Sequence, residues 1–218
     1  MKPFSQEDLG RIREAVQAAE RRTRGQIVPM VVPSSGVYRE AAHLAGLLTA
    51  LIFLVLTMTV GTLWVEWGDW LAEPYHFGVV ILVAVVGYMV GSFAGSTPVG
   101  IRIFTSKARM SMKVRHRAER AFHQHGLHKT RDGTGMLIMV SLLERQVQVL
   151  ADRAIHEVVP DGTWQTVVQF VIQGIKDDRP VEGLCRAIAE CGELLARHFP
   201  VSHHRHPDEL KDDLIQEK

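Results

Sequence analysis

The residues best suited by type to do chemistry are three aspartates in turn-like contexts, Asp132, Asp152 and Asp161. Carboxylates gathered at strand ends could hold a hard cation such as calcium or magnesium, which takes several oxygen ligands. Asp152 and Arg153 end a predicted strand, where α/β folds often place ligand sites. Two carboxylates also suffice for general acid–base hydrolysis when they converge. The competing reading is structural, because aspartates in turns accept hydrogen bonds from nearby backbone. No cofactor is firmly indicated; calcium or magnesium is what such a cluster would take.

Other reactive side chains form weaker patterns. His123, His125 and His128 make one patch, and His198, His203, His204 and His206 another, but neither has the paired spacing of a zinc-binding helix. Ser141 falls in a predicted buried strand, without the strained turn that exposes a serine nucleophile. Cys185 and Cys191 lie six apart on a predicted helix, about 240° around its axis, and cannot bridge each other. Nothing in cysteine usage argues for an oxidising compartment. Gly133-Thr-Gly135 precedes a strand, the wrong order for a loop that cradles phosphate.

The elements that would position these groups fall into two unlike regions. Between Glu40 and Glu66 lie 25 residues without Asp, Glu, Lys or Arg, and between Glu73 and Arg102 another 28. As helices, both exceed the roughly 30 Å hydrocarbon core of a bilayer. Two transmembrane helices are therefore expected at about 43–65 and 76–98. Buried core helices are the alternative, yet soluble helices of this length carry charge on one face. Arg39 precedes the first span, while Arg102, Lys107, Arg109, Lys113, Arg115 and Arg117 follow the second. The connecting loop has only acids, Glu66, Asp69 and Glu73. An excess of bases marks the cytoplasmic side, so both termini are expected in the cytoplasm, in a multi-pass protein of the inner membrane. Trp64, Trp67, Trp70 and Tyr75 cluster at the outer edge. Met1 to Glu14 is polar, so no signal peptide is expected.

Within the second span, Gly87, Gly91 and Gly95 recur every four residues, a strip that lets a partner backbone approach closely. Packing against the first span is favoured over homodimerisation. Neither span carries the ionisable residues of a transport path. The basic stretch 107–120 lies next to the second span, where contact with anionic headgroups accounts for it better than nucleic acid does.

The remainder reads as one α/β domain in two parts, residues 1–40 and 102–200, with the hairpin at 41–101 between them. Ser5 to Asp8 caps a helix whose apolar face is Leu9, Ile12, Val16 and Ala19. Gln26 to Val32 reads as a strand, with Pro29 indicating an edge or a bulge. A basic helix follows the hairpin and ends near Gly126. Gly135 to Leu143 is a strand buried on both faces, paired through a turn at Glu144 with an alternating strand around Val147 and Val149. Two helices follow, one from Trp164 to Ile175 and one opened by Pro180. Residues 201–218 are expected to form a mobile polar tail. The fold class is a small α/β sandwich interrupted by a two-helix transmembrane hairpin.

On Thr23-Arg-Gly-Gln-Ile-Val28, on Gly133 through Asp152, and on Trp164, Ile175-Lys176, Glu182-Gly183-Leu184 and Ala187-Ile188, the chain resembles the TPM domain family. Its membrane hairpin looks like that of a bacterial membrane subgroup. The family includes thylakoid-lumen proteins linked to photosystem II repair, some with acid phosphatase activity. Where many members carry a glycine-rich turn after the second strand, this chain has Asp152-Arg-Ala-Ile155.

A recognisable α/β domain with no coherent catalytic constellation leads to the expectation of a membrane-anchored accessory or interaction domain, acting in membrane-protein maintenance or complex assembly on an unidentified membrane-protein partner. A weak phosphatase dependent on a divalent cation is the enzymatic alternative. A purely structural, oligomeric membrane element is the third.

Overall fold

The computed structural model describes residues 4–64, 74–160, 162–201 and 212–216. The chain divides into two units, one of residues 1–36 and 111–218 and one of residues 37–110.

In the first unit, α1 (Gln6–Glu20) begins at a capping box in which Ser5 and Asp8 satisfy each other's backbone N–H. The four-stranded sheet has the order β3-β2-β1-β4, with β1 Gln26–Val32, β2 Gly135–Ser141, β3 Gln146–Ala151 and β4 Ile215–Gln216. β1 and β2 run parallel from Gln26 opposite Gly135 to Val32 opposite Ser141, and β3 is antiparallel to β2. Every residue of β1 and β2 is buried, as their near-continuous apolar runs require of strands covered on both faces.

Alternate side chains enter separate cores. On one face Ile27, Val31, Met136, Ile138 and Val140 pack with Ile12 and Val16 of α1 and with helices α7 (Trp164–Lys176) and α8 (Pro180–His198). On the other, Val28, Met30, Leu137 and Met139 pack with Val114, Ala118 and Ala121 of α5 (Lys107–Gln124) and with Leu127 in a 3₁₀ turn. A further short helix, α6 (Arg153–Val158), follows β3. Gly174 and Gly183 let α7 and α8 touch backbone to backbone, since a Cβ on Gly174 would come within 2.6 Å of the Gly183 Cα.

Pro29 is accommodated by the strand's alternation. Gln26 donates to Thr134 O on the β2 side, and Ile27 donates the other way, to the Glu20 carboxylate. Pro29 shares Ile27's outward side, where β4 pairs only with Met30 and Val31.

One expectation is corrected. The end of the polar tail is not loose: residues 212–216 include β4, Arg13 forms an ion pair with Asp213, and Leu214 and Ile215 pack against the two cores. A two-residue strand carries too little periodicity to be read from sequence.

The second unit contains α2 (Arg39–Trp64), α3 (Pro74–Ser96) and α4 (Pro98–Phe104). Residues 39–61 and 77–96 are each long and apolar enough to cross a membrane. The second helix stops at Ser96, short of the expected Pro98, because Thr97 caps a new helix and Pro98 opens it. The expected aromatic cluster and acidic loop fall outside the described residues, apart from the backbone of Trp64 and Tyr75.

Candidate functional site

The aspartates singled out by type are placed as follows. Asp132 lies in the turn before β2, and its Oδ2 accepts from Arg24 Nη1 at 3.0 Å, both side chains being about two-thirds buried. Asp152 ends β3 and caps α6, its Oδ1 accepting from the Arg153 N–H at 2.7 Å. The two turns are adjacent, since a Cβ on Gly133 would lie 3.8 Å from Asp152 Oδ2. Asp161 lies outside the described residues. Among the described residues no three His, Cys, Asp or Glu side chains are grouped to hold a metal ion. Asp132 and Asp152 thus have local work, an ion pair and a helix cap. The Arg24–Asp132 pair spans 108 residues of chain, so no sequence pattern announces it.

His123 and His128 bring their rings within 4.8 Å, edge to face, as a pair. His203, His204 and His206 lie outside the described residues. Cys191 is fully buried against the sheet and burial pushes its thiol far up; Cys185 is raised for the same reason, so neither is an activated thiolate.

Sequence reasoning missed a polar knot at the C-terminal ends of β1 and β2. Glu144, read as a turn residue, is buried, and so is Ser141. Glu144 Oε1 accepts from the Ser35 N–H at 2.9 Å, Ser141 donates to its Oε2, and Ser35 Oγ donates to Ser141 Oγ at 2.7 Å. A buried carboxylate needs such donors to offset its lost hydration. The tight turn that carries it puts Arg145 at φ 52°. This knot ties the β2–β3 turn to the segment after β1.

A concavity lies elsewhere among the described residues, along the outer edge of β3. It is a cleft of about 780 Å³. It is lined by residues 147–150 of β3, by Ser111, Met112 and Arg115 of α5, by Trp164, Gln165 and Val168 of α7, and by His156 of α6. β3 is the terminal strand of the sheet on this side. Asp152 donates its N–H to Gly135 O at 2.9 Å, which fixes the alternation: residues 146, 148 and 150 bond to β2, while Val147, Val149 and Ala151 direct N–H and C=O outward into the cleft. Gln148 Nε2 reaches the outward Val149 O at 3.4 Å, a long bond at a position a neighbouring strand would fill. Val147, Val149 and Trp164 join the core on the α7 side, and Leu150 joins the core on the α5 side. Among the described residues the lining contains one arginine and one histidine and no carboxylate. Arg115 also holds Glu119 at 2.9 Å, and this contact keeps the Glu119 carboxyl below its ordinary range.

In the second unit, Gly87, Gly91 and Gly95 lie against α2. A Cβ on Gly91 would stand 2.6 Å from Ala45 O, and one on Gly95 2.6 Å from Ala45 Cβ. The strip is occupied within this chain. His43 Nδ1 and the Tyr88 hydroxyl lie 2.7 Å apart and give the pair a polar contact. The outward faces of both helices are apolar and exposed, including Leu47, Ile52, Ile81, Met89 and Phe93.

Comparison with known proteins agrees with this geometry. Residues 89–194 match the model of the TPM domain. That stretch begins inside α3 and omits α1 and β1, although β1 pairs with β2 along its whole length. Among solved structures, the BA42 protein of the psychrophilic bacterium Bizionia argentinensis, determined by NMR, superposes with a TM-score of 0.59 at 17% identity, covering 99% of this chain and 97% of that one. At that identity the likeness shows the fold. No curated protein matches the sequence.

Proposed function

From the premise that this chain carries a TPM domain, we propose that it acts as a membrane-anchored accessory or interaction domain, without turnover of its own. The hairpin anchors it in the inner membrane with both termini cytoplasmic. The α/β unit then engages a membrane-protein partner in maintenance or complex assembly.

The observation that carries this role is the continuous apolar exterior of α2 and α3. Exposed apolar patches on soluble proteins rarely exceed a few hundred Å², and here large apolar side chains cover both helices along their length. Each Leu, Ile, Phe or Val near the bilayer centre favours insertion by about 0.3–0.6 kcal/mol. Bases flank the hairpin at Arg39 and from Arg102 onward, and acids fill its loop, which supports cytoplasmic termini. Basic side chains following the second span in sequence, each worth about 1 kcal/mol against anionic lipid, add surface attraction. An open cleft beside a sheet edge, in a unit where Asp132 and Asp152 serve structural contacts, supports binding over catalysis.

The test has two arms. Membrane fractions of cells expressing the full chain are expected to retain it through carbonate washing, with a C-terminal reporter inaccessible from outside intact cells. A chain recovered in the detergent-free supernatant, or a reporter reached from outside, overturns the anchor or its orientation. Cross-linking in intact membranes is expected to yield a discrete partner adduct on the α/β unit, and none appearing at any surface position overturns the interaction role.

A further inference from the structure

We propose that the cleft along β3 binds an extended peptide as an additional strand, and that this peptide alternates apolar and acidic residues. The inference rests on the interaction role above and names the chemistry of the partner.

Backbone geometry supplies the first part. Val147 and Val149 present N–H and C=O outward from the sheet's terminal strand, and Gln148 reaches the Val149 carbonyl with its own side-chain amide. Exposed edges of this kind are templates for strand addition, and proteins commonly blunt them with lysine, proline or a bulge. This six-residue edge has none of those devices. Instead residues of α5 and α7 line the cleft together with the strand.

The lining supplies the second part. A strand added to β3 points alternate side chains at α5 and at α7. The α7 side offers Trp164 and Val168, suited to apolar residues. The α5 side offers Arg115, on a helix with six bases, Lys107, Arg109, Lys113, Arg115, Arg117 and Arg120, and a single acid, Glu119. Arg115 is held by Glu119, but the helix keeps five further bases and the described lining has no carboxylate. Acidic side chains on that side therefore meet net attraction and lysines repulsion.

The experiment uses the full chain in nanodiscs of neutral lipid and three fluorescein-labelled nonapeptides: alternating Val and Glu, alternating Val and Lys, and the Val–Glu peptide interrupted by a central proline. Anisotropy is expected to show the Val–Glu peptide binding about tenfold or more tightly than either other peptide, and hydrogen exchange to slow at the Val147 and Val149 amides. Val149→Pro deletes an outward donor at a position where an edge strand tolerates proline, and is expected to weaken binding several-fold. If that variant loses its circular dichroism, Arg115→Glu leaves β3 untouched and is expected to invert the preference between the Glu and Lys peptides. Equal binding of all three peptides, no binding, or protection away from β3 overturns the proposal. So does a concentration-dependent dimer abolished by Val149→Pro, which would make the edge a self-pairing surface. Charge reversal at Arg115 that lowers binding to phosphatidylglycerol vesicles while sparing peptide binding also overturns it. Photo-cross-linkers in cells separate this from the broader role: adducts at Glu14 but not at Gln165 remove the cleft alone, and adducts at neither remove the interaction role.

Discussion

The two units use the same residue types under opposite rules. Ile138 in the sheet is 0% exposed, and Ile81 on α3 is 63% exposed. In the α/β unit, apolar side chains gather because water drives them together, at about 25 cal/mol per Å² removed from solvent. In α2 and α3 many large apolar side chains face outward, and glycines at the α2–α3 contact let the helices close up, Gly87 against Phe53, Gly91 against Thr49, Gly95 against Ala45 and Gly46 against Tyr88. Such an inversion is what a hydrocarbon solvent favours, because there leucine gains nothing by contacting leucine and close backbone packing holds helices together. The glycine pair Gly174 and Gly183 shows the same close approach on the watery side, but there the helices also bury Val167, Val171, Leu184 and Ile188 beneath them.

The contrast can be broken most sharply at its core. Ile138→Ala is expected to destabilise the α/β unit by about 2–5 kcal/mol, seen in thermal unfolding, while membrane retention is unchanged. Ile81→Ala, the matched change on the hairpin exterior, is expected to shift unfolding by less than about 0.5 kcal/mol in nanodiscs; a core-sized loss there would contradict the lipid-facing assignment. Gly91→Leu drives a side chain into Ala45 and Thr49, so disulfide trapping between cysteines placed on α2 and α3 is expected to fail. Trapping at the wild-type rate would show that the glycine strip does not set the contact.

Smaller effects sharpen the account of the aspartates. Asp152→Ala removes the α6 cap and is expected to cost about 1 kcal/mol of stability, with any hydrolysis of phosphate esters by the purified protein unchanged. Loss of a measurable hydrolysis in that variant would revive the catalytic alternative. Asp132→Asn, which breaks a partly exposed pair with Arg24, is expected to cost about 1 kcal/mol or less. The smallest effect is at Asp8. Backbone and hydroxyl hydrogen bonds from Ser5 hold its carboxyl below the ordinary value of 3.8. A depressed folded-state pKa means the contribution is complete above that value and is lost as pH falls through the lower one. Asp8→Asn is therefore expected to lower thermal stability slightly at neutral pH and to converge on the wild type below about pH 4, which flattens the acid limb of the profile.

Much of the fold was legible because it rests on local sums and short periods. Twenty-five uncharged residues in a row make a helix long and apolar enough to cross a membrane regardless of neighbours. The runs at 26–32 and 135–141 announced fully covered strands, and Ser5 with Asp8 announced a helix start. The candidate sites were far less legible. Asp132 and Asp152 were nominated by type, yet Arg24 lies 108 residues from Asp132, and only the fold brings them together. Glu144 looked like an ordinary turn residue until Ser35 and Ser141 closed around it.

The amino-acid order alone thus determined that this protein has an apolar hairpin inside an α/β domain, because hydropathy, charge asymmetry and strand or helix period are properties of contiguous residues. Tertiary structure alone decided that β3 ends the sheet on one side, that β4 returns to the other, and that α5 and α7 stand on either side of an unpaired strand edge. Those features depend on which distant segments become neighbours, and pairing across a hundred residues leaves no periodic trace along the chain.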